Sequence, residues 1–169
     1  MIFLFIIILI AVLIYWIIWT ELLGASWLPT PKRSIERMME LTKLDKHDTF
    51  YDLGSGMGSV MKIVHERTGA KCVGIEADPI RVIISKLRRS GGRIVWGNVF
   101  KTDISDATVV FIYLRRPANN KLKERFRKDL RPGTRIITYF WRMNGWKPTL
   151  LDEDRKIYVY KIPQKTIGI

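Results

Sequence analysis

The sequence has few of the residues that bind metals or form disulfides. Its 169 residues include one cysteine, Cys72, and two histidines, His47 and His65. A single cysteine excludes a disulfide within the chain and a zinc site built from several cysteines. So few nitrogen and sulfur ligands also argue against a metal enzyme, and chemistry without a metal ion is predicted.

Acidic residues are scarce as well. The chain has 16 Asp and Glu against 29 Lys and Arg, which gives a formal net charge of +13 at pH 7. This excess favours an anionic partner, which could be nucleic acid, an acidic protein or a membrane surface. Charge alone does not distinguish among the three.

Charged residues are absent from the N-terminal stretch 2–19, where nearly every side chain is large and apolar. At about 1.5 Å per residue this stretch approaches the roughly 30 Å of a bilayer core. It predicts a transmembrane anchor over residues 1–26. Basic residues follow the stretch at Lys32, Arg33 and Arg37 and none precede it, which predicts a single-pass protein of the cell membrane with its catalytic domain in the cytoplasm. A cleaved signal peptide, with small residues at 24–26, is the alternative.

Residues 27–169 are predicted to form one α/β domain, in which strands alternate with helices. This alternation implies right-handed crossovers and a mostly parallel sheet, with ligands beyond the C-terminal strand ends. A final strand after a turn at 152–154 predicts a terminal antiparallel hairpin. The predicted strands cover 49–53, 71–76, 93–96, 108–114, 134–140 and 157–162, and the predicted helices cover 32–42, 59–67, 120–130 and a segment that begins at Pro79.

A glycine-rich loop follows the first predicted strand, in the sequence YDLGSGMG. Gly54, Gly56 and Gly58 allow a tight turn and close approach to a ligand. Their G-x-G-x-G spacing differs from the G-x-G-x-x-G of dinucleotide sites. Asp52 before the loop would repel a pyrophosphate but suits the cationic methionine end of S-adenosylmethionine, and Glu76 at the end of the next strand is placed to accept hydrogen bonds from a ribose.

The alternative interpretation is an ordinary strand-to-helix turn with an unrelated surface carboxylate. The order strand, loop, helix, strand, acid argues against it and favours an S-adenosylmethionine site. Asn98, after the third strand, is a candidate contact for the adenine edge and equally a turn residue.

Several segments also resemble one known family. WLPTP, YDLGSGMG, VGIEADP, GNVF, DATVVFIYL and LRPGTRI occur in this order over 27–148, as in the archaeal protein lysine methyltransferases and their mitochondrial relatives that methylate the ATP synthase c subunit. The resemblance implies a seven-stranded Rossmann-like fold, S-adenosylmethionine as methyl donor and protein lysines as acceptors. It further implies that Asp52, Gly54 and Gly56 hold the methionine moiety, Glu76 the ribose and Asn98 the adenine, with Thr30 against the cofactor.

The sequence departs from the family pattern at three places. Met57 stands where an acid is usual, and Arg115 and Arg116 replace apolar or small residues. The run 138–141, Thr-Tyr-Phe-Trp, replaces a Ser-His-acidic stretch. Because the last two departures lie near the expected acceptor site, the resemblance says more about the cofactor than about the substrate.

Tyr113, at the end of the fourth strand, is the predicted catalytic residue of the acceptor site. Transfer of a methyl group to an amine needs alignment and desolvation rather than a metal or a nucleophilic side chain. Tyr139, Phe140 and Trp141 are candidate walls that would favour a methylated ammonium by cation–π contact. Ordinary core packing explains these three aromatics equally well.

These observations predict a monomeric protein-lysine methyltransferase whose partner is a protein with an accessible lysine, membrane proteins included. Lys121, Lys123, Arg125, Arg127 and Lys128 are expected on the outer face of the 120–130 helix, where they would contact an anionic membrane surface. An RNA methyltransferase is the alternative enzyme, although the Asn/Asp-Pro-Pro-aromatic motif of adenine-N6 enzymes is missing. A non-catalytic scaffold that binds the cofactor is the alternative outside enzymes.

Overall fold

The computed structural model describes the backbone of residues 1–22 and 28–164 and the side chains of residues 1–15 and 28–164. Helix α1 spans Ile2–Leu22. Within this described part, no helix is long and apolar enough to cross a membrane.

This finding contradicts the predicted location, a single-pass cell-membrane protein with a cytoplasmic catalytic domain, and the transmembrane helix in the predicted fold. The predicted boundary between an anchor over 1–26 and a domain over 27–169 falls outside the described residues. So do the small residues at 24–26 that the signal-peptide alternative requires.

The rest of the chain forms a seven-stranded sheet in the order β3-β2-β1-β4-β5-β7-β6. Strands β1 to β5 are parallel, and β7 pairs antiparallel with both β5 and β6. The predicted α/β fold with a terminal hairpin is confirmed. Its elements are α2 Lys32–Thr42, β1 Thr49–Leu53, α3 Ser59–Thr68, β2 Lys71–Glu76, α4 Pro79–Leu87, β3 Gly92–Trp96, β4 Val109–Ile112, α5 Arg116–Asp129, β5 Arg135–Tyr139, β6 Leu150–Asp152 and β7 Ile157–Lys161.

Both faces of the sheet are covered, which is why its central strands are nearly continuous apolar runs. Phe50 and Phe111 face one side, where α2 and α3 contribute Met38 and Val64 to the core. On the opposite side α5 packs Leu122, Phe126 and neighbouring apolar side chains against the sheet. The strand order reverses between β1 and β4, and in parallel sheets ligands bind beyond the strand ends at such a point.

Helix α4 presents most of its large apolar residues to solvent. Ile80, Ile83 and Leu87 are exposed, whereas Arg81 and Ser85 are buried. The sequence correctly indicates a helix capped by Asp78, whose carboxylate accepts hydrogen bonds from the N–H groups of residues 80 and 81. The apolar spacing of this helix nevertheless does not identify its buried face.

The basic face predicted for α5 is only partly exposed. Arg125 lies against the loop after β3, donates to the carbonyl oxygens of Val99 and Thr102, and pairs with Asp129 at 2.9 Å. Its side chain is 12% exposed, so the prediction that it points outward is wrong. Contact between the remaining basic residues and an anionic membrane surface stays a prediction.

Candidate functional site

A cavity of about 310 Å³ lies at the C-terminal ends of β1 and β4. Small-molecule sites typically have volumes of about 300 to 1,000 Å³. Among the predicted site residues it is lined by Thr30, Asp52, Gly54, Gly56 and Tyr113. The fold explains this grouping, because Asp52 pairs with Phe111 across β1 and β4 and the glycine loop and Tyr113 follow directly after those strands.

Asp52 is the acidic group of this cavity. It is 3% exposed, and its Oδ2 atom has no hydrogen-bond partner among the described residues. A buried polar atom without a partner costs about 1 to 3 kcal/mol, more when it is charged. A cationic ligand in the cavity would remove that cost, so this carboxylate fits the methionine end of S-adenosylmethionine.

Burial has a second effect on Asp52. Desolvation, together with the nearby Glu76 carboxylate, raises the pKa of Asp52 to about 8 from its ordinary value of 3.8. Between these values the folded chain keeps a proton that the unfolded chain has released, so the free energy of unfolding falls as the pH rises from about 4 to about 8.

We therefore expect the ligand-free protein to need more urea to unfold at pH 5 than at pH 8. An Asp52→Asn variant should lose the part of that difference that this carboxyl contributes. Urea titrations at the two pH values measure it, with the slope of unfolding free energy against urea as a check on cooperativity. An equal pH dependence in the variant and the wild type would contradict the prediction.

Glu76 lies at the end of β2 and fixes the glycine loop. Its Oε2 accepts a hydrogen bond from the Gly56 N–H at 2.8 Å, and its Oε1 accepts one from the Asp78 N–H at 2.9 Å. It is 3% exposed and does not line the cavity. Each carboxylate oxygen retains a second lone pair that a ribose hydroxyl could use.

The three glycines have different surroundings, although all have positive φ angles, of 85°, 55° and 77° for Gly54, Gly56 and Gly58. A Cβ on Gly56 would meet nothing within 4 Å, and one on Gly54 would lie 3.0 Å from Leu114. A Cβ on Gly58 would lie 2.3 Å from the Ser90 Cβ. Gly58 therefore allows the start of α3 to pack against the end of α4, and it does not line the cavity.

Asn98 also lies apart from the cavity lining. Its Oδ1 accepts a hydrogen bond from the Phe100 N–H at 2.8 Å, so its side chain closes the turn after β3. The structure thus places Asn98 in the turn geometry that the sequence allowed, and an adenine contact stays a prediction.

Sequence reasoning missed two basic residues of α4 and its C-cap, Arg81 and Arg88, which line the same cavity. Arg81 is 8% exposed, and its Nε lies 3.5 Å from Asp78 Oδ2. The spacing of three residues from a helix-capping aspartate was a signal that this arginine turns toward the loop. Arg88 lies beside Met57, with 4.0 Å between its guanidinium nitrogen and the sulfur.

Comparison with known proteins identifies the family. Residues 52–150 match the model of the ANTKMT methyltransferase domain. The chain belongs to this family. It is 37% identical over 129 residues to a protein-lysine N-methyltransferase of Saccharolobus islandicus, an alignment that covers 72% of this chain and 80% of the relative.

Solved structures agree with this assignment. An RNA methyltransferase from Salinibacter ruber, in complex with S-adenosyl-L-homocysteine, is 35% identical with a TM-score of 0.78, covering 82% of this chain and 95% of its own. A SAM-dependent methyltransferase from Geobacter sulfurreducens, also with S-adenosyl-L-homocysteine, shares the fold at 20% identity and a TM-score of 0.59, over 78% of this chain and 58% of its own. The chain is an S-adenosylmethionine-dependent methyltransferase.

Proposed function

We propose that this methyltransferase transfers the methyl group of S-adenosylmethionine to lysine side chains of proteins. The observation that carries the proposal is Tyr113, which borders both the cofactor cavity and a second cavity that opens beside it. The name of the Saccharolobus relative supports lysine as the acceptor.

The proposed cofactor site uses the residues of the first cavity. Asp52 would face the cationic methionine end, with Gly54 and Gly56 giving close backbone approach and Thr30 bordering the same cavity. Gly58 would hold the loop in place, Glu76 would bind the ribose and Asn98 the adenine. When bound, the donor would supply a methyl group on a positively charged sulfonium.

Tyr113 would align the acceptor amine. Its ring contacts Tyr139 edge to face, with 4.7 Å between the ring centroids, which fixes its orientation. Burial, and secondarily Tyr139, raises the pKa of Tyr113, so its hydroxyl stays protonated near neutral pH. A neutral hydroxyl can accept a hydrogen bond from an N–H of the amine and leave the nitrogen lone pair directed at the methyl group. The lysine ammonium would first release one proton to solvent, and the neutral nitrogen would then take the methyl group and its positive charge, leaving the donor sulfur as a neutral thioether.

A Tyr113→Phe variant tests this role. We expect kcat for lysine methylation to fall about tenfold, as the loss of one aligned hydrogen bond predicts, while the affinity for S-adenosylmethionine stays the same. Steady-state kinetics and calorimetry measure the two quantities. Tyr139→Phe is the matched control and should leave kcat within about twofold. A Tyr113→Phe enzyme with unchanged kcat would remove Tyr113 from the acceptor site.

RNA is the second candidate substrate, because the Salinibacter neighbour carries that name and aromatic and basic residues surround the second cavity. Incubation of the purified enzyme with labelled S-adenosylmethionine and either RNA or protein from the same cells separates the candidates. Label in protein that is recovered as methyl-lysine supports the proposal. Label confined to RNA contradicts it, and the absence of S-adenosylmethionine binding in calorimetry would contradict every enzymatic role.

A further inference from the structure

The second cavity, of about 680 Å³, lies beyond the ends of β4 and β5. It shares Leu28, Tyr113 and Leu114 with the cofactor cavity, so the two cavities adjoin at these residues. The far side of the second cavity is formed by the first turn of α5 and by the residues that follow β5. Its lining therefore decides which amine reaches Tyr113.

Two aromatic residues form one wall of the second cavity. Phe140 has a φ angle of 70°, and the Trp141 N–H donates to the Tyr139 carbonyl at 2.9 Å across it. Such a turn is strained for a bulky residue. The Phe140 N–H also donates to the Lys156 carbonyl at 2.7 Å, and the Asn119 side-chain amide donates to the Trp141 carbonyl at 3.5 Å. The wall is held in place by contacts from β7's turn and from α5.

The charge of this cavity is positive. Among the residues that the structure describes, its lining includes Arg115 and Arg116 and no acidic residue. The Arg116 guanidinium lies 4.8 Å from the centre of the Trp141 ring, and the Lys156 ammonium lies 4.0 Å from the centre of the Phe140 ring. A lysine approaching with its own positive charge would be repelled here unless its surroundings carried negative charge.

Stacking on Trp141 also orients Arg116. A guanidinium that lies over an aromatic ring keeps its N–H groups directed outward in its own plane, where two of them match the two oxygens of a carboxylate. The same stacking lowers the conformational entropy that a flexible arginine would lose on binding.

We propose that the acceptor lysine lies beside an acidic side chain and that Arg116, at the mouth of the second cavity, binds that carboxylate. This inference rests on the proposed lysine methylation and names its substrate class, a protein segment in which Asp or Glu neighbours the methylated lysine.

Matched peptides test the inference with the full chain. Every peptide contains a single lysine. The two peptides of a pair differ only in the residues that flank this lysine, which are Glu in one peptide and Gln in the other. We expect kcat/KM to be at least about tenfold higher for the Glu peptide, as one charge-assisted hydrogen bond predicts. Fluorescence anisotropy with S-adenosyl-L-homocysteine present should show the same preference in binding, and the preference should shrink as salt is added.

Three variants assign the preference to Arg116. Arg116→Gln should reduce the Glu-to-Gln ratio to near one, and Arg116→Lys should keep only part of it because the planar pairing is lost. Arg131→Gln removes an exposed arginine from the loop after α5, near the N-terminal strand ends, and should leave the ratio unchanged. Circular dichroism of each variant verifies that it is folded.

The outcomes separate this inference from the function on which it rests. Equal methylation of both peptides, or a preference that persists in Arg116→Gln, would overturn the acidic-neighbour inference alone. If the enzyme bound S-adenosylmethionine but methylated no lysine in any peptide or cell protein, the proposed function would fail with it. If the enzyme methylated RNA and neither peptide, the basic residues at the mouth of the second cavity would bind RNA phosphates. This result would also overturn the inference.

Discussion

An Asp52→Asn enzyme is expected to be more stable than the wild type at pH 8 and to bind S-adenosylmethionine about 100-fold more weakly. The stability should rise because asparagine cannot ionise, whereas the buried Asp52 carboxyl is partly charged at pH 8 and lies close to Glu76. The affinity should fall because a charge pair about 4 Å apart is worth about 4 kcal/mol near a protein surface, and 100-fold corresponds to about 2.7 kcal/mol.

Opposite changes in stability and affinity are the signature of this prediction, since a variant that merely disturbed the fold would lose both. Urea denaturation without ligand and isothermal titration calorimetry measure them at pH 8. Asp154→Asn, in the exposed turn between β6 and β7, removes the same formal charge and should change neither quantity. Unchanged affinity in Asp52→Asn would exclude this carboxylate from the cofactor site.

Gly58→Ala is expected to lower the free energy of unfolding by about 2 to 5 kcal/mol. The φ angle of 77° costs an L-residue about 1 to 2 kcal/mol. The new methyl group would also lie 2.4 Å from Ser85 Oγ and displace the buried Ser85–Ser90 hydrogen bond of 2.7 Å. Overpacking of this kind typically costs a further 1 to 3 kcal/mol.

Gly56→Ala is the matched control, because it has the same backbone penalty without the collision. Its φ angle is 55°, and nothing lies within 4 Å of the added Cβ. We expect it to lose only about 1 to 2 kcal/mol in chemical denaturation. If the two variants lost equal stability, the close packing of Gly58 on the end of α4 would make no contribution to the free energy of unfolding.

The sequence predicted the central sheet well because local and nonlocal signals agree there. The run 49–53 contains large apolar and aromatic side chains and is followed at once by the glycine loop, and the structure begins and ends β1 at those residues. Helix α5 was harder to delimit. It begins at Arg116 rather than at residue 120. Pro117 in its first turn marks this start, whereas the spacing of the apolar residues does not.

The buried face of α4 could not be predicted from its own sequence. Isoleucines recur at helical spacing, yet the core side of the helix carries Arg81, Val82 and Ser85. Arg81 faces Asp78 and Ser85 faces Ser90, and Gly58 at the start of α3 lies close to the serine pair. The contact of Gly58 with the end of α4 joins segments that are far apart in the chain. The hydrophobic periodicity of α4 alone therefore does not predict which face of this helix is buried.

The candidate site was predictable to the extent that it follows strand ends. Asp52 and Tyr113 lie at the ends of adjacent parallel strands, so topology alone brings them to one cavity. Other elements contribute Arg81, Arg88 and the turn at Phe140. The positions of these residues depend on side-chain packing and on the strained φ angle of Phe140.

The shared wall of Leu28, Tyr113 and Leu114 has a practical consequence for inhibitor design. A compound that joins an adenosine-like group to an alkylamine through a short linker would occupy both cavities at once. Its second half would bind at the high effective concentration that a short tether provides, so its affinity should exceed that of either fragment by far more than the new contacts supply. Adding a carboxylate near the amine would direct such a compound toward Arg116 and away from methyltransferases that lack a positive mouth.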